Sequence, residues 1–188
     1  AHVRDGRVDY DAFARAPEFA EYLARLAAFD PSALGRDEAL AFWINAYTAY
    51  TIQLINAHGE RRSIRNINRT LGIIPAYGPW KERLAVVGGR RYSLGEIEHE
   101  IIRRQYHEPR AHFALVCGAN GCPPLRPEAY TGDRLDAQLA DQARRFLREA
   151  PEKNRVDVET GTVHLSPILV GFGDYIQDFG GTKEAVGH

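Results

Sequence analysis

The segment from Asp37 to Ala57 constrains this chain more than any other stretch. Leu40, Phe42, Trp43, Ile44, Tyr47, Tyr50, Ile52, Leu54 and Ile55 fall on every side of a helix of that length, whereas a surface helix confines its apolar residues to one stripe. A helix that is apolar all round has to be enclosed, so the rest of the chain must wrap it. One polar line survives on it. Asn45, Thr48 and Thr51 recur at intervals of three and share roughly one face. Buried amides and hydroxyls cost free energy unless they are partnered. That line therefore either bonds the backbone of a neighbouring loop or lines a polar site.

The remaining signals place smaller elements around this helix. Asp5-Gly6 reads as a turn leading into an extended piece. Pro17 suits a helix start, with Phe19, Tyr22, Leu23 and Leu26 at helical spacing behind it. Leu84–Val87 and Arg90–Tyr92 flank Gly88-Gly89 as a hairpin. Ser93 and Glu96 form a capping box before a helix whose apolar face is Leu94, Ile97, Ile101 and Ile102. Glu98 falls among these, so its carboxylate must be paired or raise its pKa, and His99 lies at the edge of that face. The apolar run His112–Cys117 reads as a buried strand, central in a sheet, with His112, Ala114 and Val116 on one side. A last clear helix starts near Asp133, and Val156–Val158 with Thr162–Leu165 make a second hairpin. The fold expected is α+β: a single domain over residues 1–188, with several helices around a small mixed or antiparallel sheet that includes two hairpins.

Composition narrows the partners. With 44% hydrophobic and 26% charged residues the chain is that of an ordinary globular protein. A net charge of -1 offers no field to draw nucleic acid or an anionic membrane. No run approaches the roughly 18 apolar residues of a membrane span. There is no methionine, so Ala1 is read as following a processed or trimmed start, which leaves export open.

Chemistry concentrates between His112 and Pro124. Gly118 and Gly121 permit left-handed backbone and close approach of a ligand, and Asn120 lies between them. Two prolines stiffen the chain behind Cys122. A reactive thiol needs a lowered pKa, supplied by a helix N-terminus or a histidine; His112, His99 and His164 are the candidates. The blander reading, an inert small hydrophobe, stands beside it. Cys117 and Cys122, five apart, also allow a reversible disulfide, though a loop so short constrains the unfolded chain little. Their spacing with His112 or His99 matches no standard zinc pattern, and no phosphate loop or serine nucleophile elbow is present. No metal and no cofactor are expected.

Three ordered motifs then combine. Phe42-Trp43-Ile44-Asn45-Ala46-Tyr47, Tyr92-Ser93-Leu94 with Ile97-Glu98-His99, and His112-Phe113-Ala114-Leu115 with Cys117-Gly118 and Cys122-Pro123-Pro124 resemble the family called domain of unknown function 547, from about Gly6 to Gly181. The resemblance implies a domain type of bacteria, often exported or envelope-associated, and of plants, where it follows a coiled coil. It favours a periplasmic or exported location over the cytoplasm. The family's marked polar residues fall on Asn45, Glu98, His99, His112 and Cys122. Thr48 stands where the family often has asparagine, and Gly121 where it often has serine. The tail near Phe172 lacks the usual tryptophan-tyrosine pair.

The function expected from these residues is thiol-dependent hydrolysis or acyl transfer on an amide, ester or thioester. Cys122 would be the nucleophile, His112 or His99 the base, and Glu98 or Asn45 the group that orients it. Cys117, Gly118, Asn120, Gly121 and Thr48 would contact the substrate, with backbone N–H groups of the 118–122 turn holding an oxyanion. The alternatives are a non-catalytic module that binds a small molecule or peptide, and a Cys117–Cys122 redox switch.

Overall fold

The computed structural model describes residues 2–67, 78–119, 121–170 and 173–180. Helix α3 (Arg36–Ala57) is the axis of the molecule, and thirteen of its residues are buried, among them Leu40, Ile44, Tyr47 and Leu54. Around it pack α1 (Tyr10–Arg15), α2 (Pro17–Ala28), a π-helix (Glu96–Tyr106) and α4 (Leu135–Arg148). Two short helices, α5 (Pro167–Val170) and α6 (Gly173–Asp178), pack against each other. The enclosure expected from the all-round apolar pattern is met by helices rather than by a sheet.

The architecture is α+β, and among the described residues the strands form three separate antiparallel pairs. β1 (Val3–Arg4) and β2 (Arg7–Val8) turn on Asp5 and Gly6, both at positive φ. β3 (Ala85–Val87) and β4 (Arg90–Tyr92) turn on Gly88 and Gly89, again both at positive φ, as a two-residue hairpin turn requires. β5 (Arg155–Asp157) and β6 (Thr162–His164) form a hairpin whose Val156 and Val163 are exposed.

The segment expected to be a central strand is not one. Pro109–Phe113 is a 3-10 helix, begun by Pro109 and capped by Glu108, whose carboxylate accepts the Arg110 N–H at 3.0 Å. Beyond Ala114 the chain runs through Leu115–Cys117 without a ladder partner among the described residues. Every residue from Ala111 to Val116 is buried, so the alternation of faces expected of a strand is absent. An apolar run this short reads alike as strand or as buried helical turn, and packing between helices decided it here.

Two features anchor the loop beyond this run. Gly6 O accepts the Leu125 N–H at 3.0 Å, and a Cβ on Gly6 would lie 2.5 Å from Pro124 Cβ. On the buried face of α4, Gln138 bonds Thr131 N and Ala129 O, both at 2.9 Å, and Gln142 donates to Pro124 O at 2.7 Å. The amides thus satisfy loop backbone that the core would otherwise leave unpaired.

Candidate functional site

The capping box forms as its spacing requires: Glu96 accepts the Ser93 N–H at 2.7 Å, and Ser93 Oγ accepts the Glu96 N–H at 3.1 Å. From Glu96 to Tyr106 the chain winds as a π-helix, a rare form that is frequent at functional sites. It buries Ile97, Ile101 and Ile102 against α3. Glu98 and His99 are left half-buried beside a cavity of about 260 Å³. Tyr47 on α3, Trp80, His112, Leu115, Cys117, Ile168 and Tyr175 complete its lining.

Hydrogen bonds hold the polar groups in fixed roles. Tyr47 donates its hydroxyl to Glu98 Oε2 at 3.0 Å. Burial and then the Glu98 charge push the Tyr47 pKa well up, so this phenol stays a donor. His112 Nε2 lies 2.8 Å from Asp178 Oδ2, and Arg103 grips the same carboxylate through Nε at 2.6 Å and Nη2 at 2.9 Å. Burial opposes ionisation of Asp178, but the bonds from Arg103 and His112 outweigh it and hold the carboxyl below its usual range. Arg103 Nη1 also approaches His99 Nδ1 at 3.0 Å.

These contacts assign the tautomers of the neutral imidazoles. A carboxylate only accepts, so the His112 proton sits on Nε2 and Nδ1 is left as a base. An arginine only donates, so His99 Nδ1 accepts and its proton sits on Nε2. The two rings thus turn different nitrogens to their charged partners, His112 its Nε2 to Asp178 and His99 its Nδ1 to Arg103. Tyr175 meets the His112 ring edge-on, with centroids 6.0 Å apart.

The two cysteines are joined in a disulfide, Cα to Cα 5.9 Å. Cys117 reaches the cavity of the histidines, whereas Cys122 is buried and faces a second, more polar cavity of about 650 Å³ with Gly118, Arg61 and Lys153. Cys122 as the nucleophile beside His112 is therefore not the arrangement seen. Two N–H groups of the turn are also committed: Ala119 N–H to Cys122 Sγ at 3.3 Å and Cys122 N–H to Ala119 O at 2.9 Å. They do not form an oxyanion site in this state.

Other expected residues fall elsewhere. Asn45 spends its amide on Tyr130, donating to its carbonyl at 2.8 Å and accepting its N–H at 3.0 Å. Thr51 Oγ1 bonds Tyr47 O within its own helix at 2.8 Å. Thr48 is half-buried on α3 and does not line the histidine cavity. The polar line thus meets neighbouring backbone at Asn45 and its own helix at Thr51. Gly121 O accepts Ser166 Oγ at 2.6 Å, His164 is exposed on β6, and Asn120 lies outside the described residues. Asp178 and Trp80 join the site without a local motif to mark them, and Tyr47 joins it from the first motif as a core residue whose hydroxyl bonds Glu98. A lone aspartate such as Asp178 is ordinarily solvated.

Among the described residues no cluster of three or more metal-ligating side chains occurs, and no helix is long and apolar enough to cross a membrane. Residues 31–147 match the model of the family described as "Protein of unknown function, DUF547". That span supplies Tyr47, Trp80, Glu98, His99, His112 and Cys117, while Ile168, Tyr175 and Asp178 come from beyond it. No curated protein and no solved structure matches the chain.

Proposed function

We propose, for a chain that belongs to the DUF547 family, that the cavity over the disulfide is a site of thiol-dependent hydrolysis or acyl transfer, with Cys117 rather than Cys122 as the reactive sulfur. One observation carries this reading. Cys117, His99, His112 and Glu98 converge on a single cavity in which His112 is held by a carboxylate.

A dithiol reductant first opens the disulfide by exchange and is itself oxidised, leaving Cys117 and Cys122 as thiols. His112 Nδ1 takes the Cys117 proton as the sulfur attacks the carbonyl carbon of an ester, thioester or amide. The leaving alkoxide, thiolate or amine receives that proton back from the imidazolium. Water, or an acceptor nucleophile, then displaces the sulfur from the acyl carbon and restores the thiol. His99 Nε2–H donates to the carbonyl oxygen as charge develops on it.

The test compares oxidised and reduced protein on p-nitrophenyl esters and acyl thioesters, with mass-spectrometric mapping of iodoacetamide labelling. Turnover is expected only after reduction and is abolished by Cys117→Ser. Cys122→Ser is expected to make it independent of reductant, and His112→Ala to slow it about 100-fold or more. Turnover that survives Cys117→Ser, or labelling of Cys117 no faster than in denatured protein, refutes the assignment.

The formed disulfide favours a second reading, in which the oxidised protein binds a small molecule or peptide without turnover. Ligand binding with no reaction in either redox state would select it. The disulfide also supports an exported or periplasmic location, since such bonds persist in oxidising compartments.

A further inference from the structure

We infer, resting on the reading of this cavity as a substrate site, that its ligand carries a positive charge: an ammonium or quaternary ammonium group seated against Glu98 among aromatic rings. Among the described residues two carboxylates belong to the site, and their situations differ. Asp178 is matched by Arg103 and further bonded to His112. Glu98 is half-buried at the wall, and among the described residues its Oε2 accepts only the neutral Tyr47 phenol. No lysine, arginine or histidine among the described residues pairs with it. A charge removed from water is costly unless a counter-charge meets it, and the cavity is where that counter-charge can come from.

The walls suit the same ligand. Trp80 and Tyr175 line the cavity beside the fully buried Tyr47, and aromatic rings attract cations, most strongly where water is excluded. Leu115 and Ile168 supply surface for hydrocarbon substituents. At about 260 Å³ the space is small for a ligand site. A neutral apolar ligand of that size would leave Glu98 without a counter-charge, and an anion would oppose it.

The experiment uses the full, oxidised chain, so that no thiol chemistry enters. Choline is compared with its neutral isostere 3,3-dimethylbutan-1-ol by calorimetry and saturation-transfer NMR. Choline is expected to bind about tenfold more tightly or better. Glu98→Gln, which keeps an oxygen for Tyr47, is expected to erase the difference while leaving the alcohol's affinity unchanged. Trp80→Leu should weaken choline about threefold or more. Equal or tighter binding of the alcohol, binding of neither probe at millimolar concentration, or a preference that survives Glu98→Gln overturns the inference. Its failure is distinct from that of the thiol reading. Reduced protein that hydrolyses neutral esters as fast as cationic ones would defeat the ligand class and spare the nucleophile. Choline preference without turnover would do the reverse.

Discussion

Replacing Asp178 by Asn removes the carboxylate that Arg103 and His112 share and leaves the side-chain shape almost unchanged. Three hydrogen bonds end on it, from Arg103 Nε and Nη2 at 2.6 and 2.9 Å and from His112 Nε2 at 2.8 Å. Bonds to charged groups contribute about 1.5–3 kcal/mol each. They do not add fully, because they converge on one group. The Arg103 and Asp178 side chains are 16% and 25% exposed, so hydration returns part of the loss, whereas His112 at 8% recovers little. An amide keeps one acceptor oxygen but turns an NH2 toward a donor. The net loss expected is about 2–4 kcal/mol, or a fall in Tm of about 5–15 °C for a chain of this size. Urea unfolding with an unchanged m-value measures it, and a cycle with Arg103→Met should return a coupling of about 1–2 kcal/mol. A loss under about 0.5 kcal/mol, or no coupling, would show that this triad does not hold α6 against the π-helix.

Other consequences are equally concrete. Asn45→Ala strips both backbone partners from Tyr130 and should cost about 2–4 kcal/mol in urea unfolding; a stable variant that has lost ligand binding would return Asn45 to the site. Gly118 has φ +71°, and a Cβ there would lie 2.5 Å from Ile55 Cδ1. Gly118→Ala should therefore cost about 1–3 kcal/mol, and Ile55→Val should recover the steric part but not the backbone part. Asp178 and Glu108 both titrate below their usual range, Glu108 chiefly through its hydrogen bond with Arg110. Their folded pKa values lie below the unfolded ones, so the stability they add is present above about pH 4 and lost as pH falls through the folded values. The acid limb of a stability–pH profile should flatten in Asp178→Asn.

Much of the frame was legible because it rests on local signals. The all-round apolar pattern of α3, the paired glycines at Gly88-Gly89 and the Ser93–Glu96 capping box act through neighbours a few residues apart, and each formed as its spacing implies. The strand expected at His112–Cys117 failed because its evidence was burial alone, which a 3-10 turn between helices satisfies equally well. The candidate site was legible in part. Glu98, His99 and His112 do share a cavity, but Asn45, equally polar and equally central, is spent on Tyr130.

Residue order alone dictates that a helix apolar on every side be enclosed, and which short-range turns and caps punctuate the chain around it. Packing in three dimensions chose helices rather than a sheet for that enclosure, turned Cys117 and not Cys122 toward the histidines, and brought Asp178 to His112. The difference is one of range. Hydrophobic periodicity, turn geometry and capping are satisfied within a few residues, and so leave a mark in local spacing. A hydrogen bond between side chains 66 positions apart, like that of His112 and Asp178, leaves none until packing brings the two ends together.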